Sequence, residues 1–183
     1  MSQTPPHFEE TQAISLRLEN YNDLFSDFDI RPYSKRALSV DFLDELKGFT
    51  SDKKDNEGIE LILNVPEKER NESQEVVIKE RIAAHFAKHH KQFSQQKLNV
   101  LRMGIAMVIF GVISMIAATF IVFEDPTSNL MLSFLVVFLE PAAWFLLWEG
   151  MDLIIFNARK INPDLYFYRR MSNSSTHVHF RSY

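Results

Sequence analysis

The chain has 183 residues, enough for one modest domain. Its net charge of −4 argues against a nucleic-acid protein, and the absence of Cys removes disulfides, thiolate metal sites and a Cys nucleophile. Apolar residues make up 46% and 16 residues are Phe, yet the mean hydropathy is only −0.14, because a charged stretch over 1–100 offsets a nearly uncharged one over 103–156.

The N-terminus, MSQTPPHFEE, lacks the basic and apolar regions of a signal peptide, so no leader is expected. AISLRLE then alternates, with Ile14, Leu16 and Leu18 on one face. IELILNV does the same with Ile59, Leu61, Leu63 and Val65, and both read as half-buried strands. Between them, Phe42, Leu43, Leu46 and Phe49 stand at helical spacing. Ser39 suits the cap of that helix, Asp41 its first turn and Gly48 its end. SDKKDNEG reads as a polar turn. Strand, helix and strand over 1–66 predict a βαβ unit. NDLFSDFDI offers Asp23, Asp27 and Asp29 but lacks the Gly and terminal Glu of a calcium loop, and reads as a folded linker.

Pro66 ends the second strand and suits the first turn of a new helix. No Gly or Pro follows before Gly104, so a stalk helix is expected over 67–102, running into the next segment. Ile78, Ile82, Phe86, Phe93 and Val100 form its apolar stripe, which packs either on the small sheet or on the stalk of another subunit. His85 and His89, at i and i+4 in HFAKHHK, have a metal-compatible spacing but no third ligand at short range. A solvated helix near anionic lipid is the plainer reading.

Met103–Phe123 is 21 residues without a charge, long enough as a helix to cross a hydrocarbon core of ~30 Å. EDPTSN (124–129) is a turn, and 130–156 is a second span interrupted only by Glu140, Glu149 and Asp152. The turn has no Lys or Arg, whereas Lys88, Lys91, Lys97 and Arg102 precede the hairpin and Arg159, Lys160, Arg169 and Arg170 follow it. The positive-inside rule therefore places both termini in the cytoplasm. In the tail, 157–183, DLYFYRR and THVHFRS read as two further strands of the α/β domain. The rival reading of Tyr166, Phe167 and Tyr168 is an interfacial aromatic anchor.

Glu140 lies ten residues past Leu130, about 15 Å into the second span. A charge there costs about 2.5–3.5 kcal/mol, so the carboxyl must be protonated or face protein or water. Ser133 and Asn129 share its face, Pro141 removes the donor that the Val137 carbonyl would have, and Trp144 is expected beside it. Three readings stay open for Glu140: a hydrogen bond across a helix interface, a proton or cation path between subunits, or a site for a ligand or partner in the bilayer. Gly104, Met107, Gly111, Ser114 and Ala118 form a small-residue packing face on the first span. Glu149 and Asp152 sit at the inner end of the second span, where salt bridges to Lys97 and Arg102 are expected; a cation-collecting vestibule is the sharper alternative.

RPYSKRALSVDFLDEL and EPAAWFLLWEGMD resemble stretches of small bacterial inner-membrane proteins with an N-terminal soluble part and a late two-span hairpin. The resemblance covers most of the chain. It implies that architecture and a bacterial source, and no activity or site residue.

The expected fold is thus a membrane α-helical hairpin of two transmembrane spans plus a small cytoplasmic α/β domain, with a stalk helix continuous with the first span. No Walker loop, dinucleotide fingerprint or G-x-S-x-G occurs, and the chain has only five Gly. The functional expectation is a non-enzymatic inner-membrane protein, homo-oligomeric in the lipid bilayer, with no catalytic residue, cofactor or metal. Its cytoplasmic domain would serve assembly or recognition of a protein partner. The alternative is a small oligomeric ion channel or proton-linked device using Glu140.

Overall fold

The computed structural model describes residues 13–51, 59–123, 129–173 and 177–183. The chain divides into two compact units, Met1–Lys91 with Asp164–Tyr183, and Gln92–Pro163. The first is a small α/β unit and the second is built from two long apolar helices.

Strands β1 (Ala13–Arg17), β2 (Glu60–Val65) and β3 (His177–Ser182) form one sheet in that order, with both pairs parallel. The register puts Ile14, Leu61 and Val178 side by side, then Leu16, Leu63 and Phe180. Because side chains alternate across a strand, these six share one face. Leu61 and Leu63 are fully buried. Ile62, on the opposite face, is also buried; it lies on the central strand between Ser15 and His179.

Helix α1 (Val40–Ser51) connects β1 to β2, as parallel neighbours require. Ser39 precedes it, its carbonyl accepting the Leu43 N–H at 3.2 Å. Phe42 and Leu46 are buried as their spacing implies. The expectations for Gly48 and Phe49 need correction. The helix runs through Gly48 to Ser51. Phe42, Leu46 and Thr50 define the buried face at four-residue steps, which leaves Phe49 one position off it and 47% exposed. The polar turn expected over 51–58 lies, beyond Ser51, outside the described residues.

Pro66 does not open the long helix. A short 3₁₀ turn, Glu67–Glu69, intervenes, and α2 spans Glu72–Phe123, 52 residues. Asn71 caps it: its side-chain carbonyl accepts the Gln74 N–H at 3.2 Å and the Ser73 hydroxyl at 2.6 Å. The stalk and the first apolar segment are therefore one helix. Ile78, Ile82 and Phe86 are buried in the α/β core, each burial contributing roughly 1.5–3 kcal/mol. Phe93 and Val100 further along are half-buried.

Asn129 caps α3 (Leu130–Asp152) by accepting the Met131 N–H at 3.0 Å; it is the one residue of the expected 124–129 turn among those described. A π-helical turn, Leu153–Asn157, and the short helix α4 (Ala158–Lys160) follow, then α5 (Asn162–Met171). DLYFYRR is thus helical, and the expected strand there is wrong. Pro163 and Asp164 favour a first helical turn. Phe167, Tyr168 and Met171 are buried, with the Phe86 ring 5.9 Å from Phe167 and 6.1 Å from Tyr168. Burial on one helical face outweighs the strand preference of aromatic residues. It also leaves Phe167 and Tyr168 in the α/β core rather than serving as interfacial anchors. Of the two expected tail strands, the second forms over HVHFRS, as β3.

Candidate functional site

The small residues of α2 and α3 set how closely these helices approach. A Cβ on Gly104 would lie 2.8 Å from both the Gly150 carbonyl oxygen and Ile154 Cγ1. A Cβ on Gly111 would lie 2.9 Å from Leu147 Cγ and 3.1 Å from the Ala143 carbonyl oxygen. Ala118 and Ala143 are buried, and Ser114 is half-buried. The small-residue face of the first segment therefore packs on α3. Sequence reasoning missed Gly150 as its counterpart. The available signal was spacing: Ala143 and Gly150 stand seven apart, as do Gly104 and Gly111, so an antiparallel pair meets in the same register twice.

Glu140 is outside that seam and exposed. It lines an open groove of about 460 Å³ together with Met115, Ala118, Thr119, Phe123 and Trp144. Glu140 and Trp144 are thus brought together, while Ser133 is not part of the groove wall. The Thr119 hydroxyl donates to the Met115 carbonyl at 2.9 Å, one turn back on its own helix. Among the described residues nothing hydrogen-bonds the Glu140 carboxyl. Thr119 was not foreseen; a hydroxyl in an apolar helix was its only signal.

Glu149 and Asp152 do not make the expected salt bridges. Among the described residues no ion pair joins either to Lys97 or Arg102. Amides take their place: Asn157 Nδ2 donates to Asp152 Oδ2 at 2.8 Å across the π-helical turn, and Lys97 Nζ donates to Asn162 Oδ1 at 2.7 Å.

In the α/β unit, the His85 and His89 ring centroids are 4.3 Å apart, and Tyr168 stacks on His89 at 5.1 Å. His85 Nε2 is buried without a hydrogen-bond partner. Burial, then the neighbouring His89, Arg81 and Lys88, pushes the His85 imidazole down to about 4. Burial also lowers His89. The pair therefore packs with Tyr168 in the α/β unit and does not lie on the solvated helix face expected of it; among the described residues no group of three or more His, Cys, Asp or Glu could hold a metal.

Sequence reasoning also missed a polar triad in which Tyr21 and Glu75 are buried and Arg70 is exposed. The Tyr21 hydroxyl donates to Glu75 Oε1 at 2.9 Å, and Arg70 donates to both Glu75 oxygens at 2.9 and 3.0 Å. Burial would raise the Glu75 carboxyl, but the hydrogen bonds from Arg70 and Tyr21 outweigh it and hold it below its usual value. The acids of NDLFSDFDI serve local structure. Asp23 accepts the Glu19 and Asn20 N–H groups, and Asp29 pairs with Arg31 through two hydrogen bonds while accepting the Ala37 N–H.

No family model, curated protein or solved structure matches the chain. What is established is a mostly helical chain with a small three-stranded sheet and two helices long and apolar enough to cross a membrane.

Proposed function

We propose that the chain is an integral protein of a bacterial inner membrane, anchored by a two-span hairpin with both termini cytoplasmic. In this reading it is a homo-oligomer whose α/β unit serves assembly or the recognition of a protein partner. The observation that carries the reading is the exposure of apolar surface: only 11% of the most apolar window of each long helix is buried. Phe110, Phe120, Phe134 and Trp148 are each more than half exposed. A soluble core helix would be mostly covered, and uncovered apolar surface of this extent on two helices of spanning length supports a hydrocarbon surrounding. The half-buried Val100 on the stalk stripe and the 46%-exposed Leu98 near it leave apolar surface for a second copy. Alkaline carbonate washing of membranes tests the anchor: the chain is expected to stay in the pellet, and release to the supernatant contradicts it. Light scattering of the detergent-extracted protein tests the oligomer, and a mass of one chain contradicts it.

A second reading has Glu140 on a proton or cation path enclosed by several copies. It is favoured by the placement of Glu140 in an open groove rather than in the glycine seam. Proton- or cation-dependent flux in liposomes that Glu140→Gln abolishes would support it. Wild-type flux no higher than that of empty liposomes would end it.

A further inference from the structure

The groove beside Glu140 has a composition that neither reading uses. Its walls are apolar, from Met115, Ala118 and Phe123. Its polar features are the Glu140 carboxyl, the Trp144 indole and the Thr119 hydroxyl, whose proton is engaged with Met115. Among the described residues no Lys, Arg or His lines it. At about 460 Å³ it has the size of a small-molecule site. We propose that this groove binds a lipophilic organic cation, with the Glu140 carboxylate as counter-ion and the Trp144 ring as a face for the positive charge.

Charge complementarity selects this occupant. A carboxylate within an apolar span is costly unless a proton or a cation offsets it. A metal ion would need several oxygen ligands, and among the described residues the groove offers one carboxyl and one hydroxyl. A cation that spreads its charge over apolar substituents needs neither water nor many ligands, and an exposed indole attracts it through the ring quadrupole. Trp144 is 66% exposed, which leaves its ring open to such a contact. A lipid acyl chain or a span of a second copy would fill the apolar walls but leave the carboxyl without a counter-charge.

The proposal rests on the reading that α2 and α3 lie in a bilayer, so the test starts from protein that has passed the carbonate wash. Failure of that wash ends the membrane reading; failure of the following measurement ends only this one. Full-length protein in lipid nanodiscs is titrated with tetraphenylphosphonium by equilibrium dialysis, against empty nanodiscs. Saturable binding to the wild type is expected, weakened at least tenfold by Glu140→Gln and about 3–10-fold by Trp144→Leu. Phe134→Leu, outside the groove, should bind as the wild type does, and a neutral triphenylphosphine oxide probe should not distinguish wild type from Glu140→Gln. All variants must keep the wild-type elution volume and thermal midpoint; Glu140→Asp, with partial retention of affinity, covers the case in which Glu140→Gln fails to fold. Equal affinity of wild type and Glu140→Gln overturns the proposal, as does binding no greater than to empty nanodiscs. Efficient disulfide formation between two copies carrying Thr119→Cys, undiminished by saturating cation, would assign the groove to a second copy and overturn it as well.

Discussion

Gly104 and Gly150 are reciprocal neighbours: a Cβ added to either would stand 2.8 Å from the carbonyl oxygen of the other. Backbone lies opposite backbone, so no side chain can turn aside to make room. Gly150 also faces the Val108 N at 3.0 Å, which leaves no second direction for relief. Gly150→Val or Gly104→Val should therefore separate α2 from α3, at a cost of roughly 1–3 kcal/mol. The thermal midpoint of the detergent-solubilised variants should fall clearly. Gly48→Ala, with nothing within 4 Å of its Cβ position, should leave the midpoint unchanged or raise it. A Gly150→Val variant as stable as the wild type would mean that the seam does not close here.

Phe86 and Phe93 lie on the same stripe of α2 with different burial, 1% exposed against half-buried. Phe86→Asp would place a charge against Phe167 and Tyr168 at a buried position, and should unfold the α/β unit. Phe93→Asp should leave that unit folded and act on assembly. Limited proteolysis separates the two outcomes. Equal protease resistance of Phe86→Asp and the wild type would contradict the core described above.

The Tyr21–Glu75–Arg70 triad makes stability depend on acid. The folded-state carboxyl of Glu75 is held below its usual value of 4.5. Its contribution is therefore fully present above about pH 4.5 and is lost as pH falls through the lower folded value. Glu75→Gln removes the charge that Arg70 and the Tyr21 hydroxyl bond to, and should destabilise by about 1–3 kcal/mol at pH 7. That difference should shrink below pH 4, as read from denaturant midpoints followed by circular dichroism. An unchanged difference at low pH would contradict the assignment.

His85 adds acid sensitivity at a higher pH. Its folded-state value lies near 4 against 6.5 for a free imidazole, so the unfolded chain takes up the proton first. Stability should fall as pH drops below about 6.5 and level off below about 4. The neighbouring His89, Arg81 and Lys88 act in the same direction as burial. His85→Phe keeps the ring contacts with Phe86 and Tyr168 and removes the titration, so its stability should vary less between pH 7 and pH 5. The same slope in both proteins would show that another group titrates.

What the sequence disclosed follows the strength of its periodicity. Three strands, α1, the unbroken stalk and both apolar helices were legible because alternation, helical spacing and, in the stalk, the absence of Gly and Pro each leave a pattern. DLYFYRR was misread because seven residues with three adjacent aromatics carry no period, and only the contacts with Phe86 decide for helix. Glu140 stood out as a charge in an apolar run, but its groove could not be read, because Ala118 and Thr119 reach it from a helix distant in sequence. The Tyr21–Glu75 bond, 54 residues apart in the chain, leaves no local signal at all.

Residue accessibility in intact cells tests the central claim, a two-span anchor with both termini cytoplasmic. Single cysteines are placed at Ser128, between the spans, and at Asp44, exposed on α1 of the α/β unit. The chain has no native Cys to interfere. An impermeant thiol reagent applied to intact spheroplasts should label Ser128→Cys, and should label Asp44→Cys only after the membrane is permeabilised. Labelling of Asp44→Cys in intact spheroplasts, with Ser128→Cys protected until permeabilisation, would contradict the account.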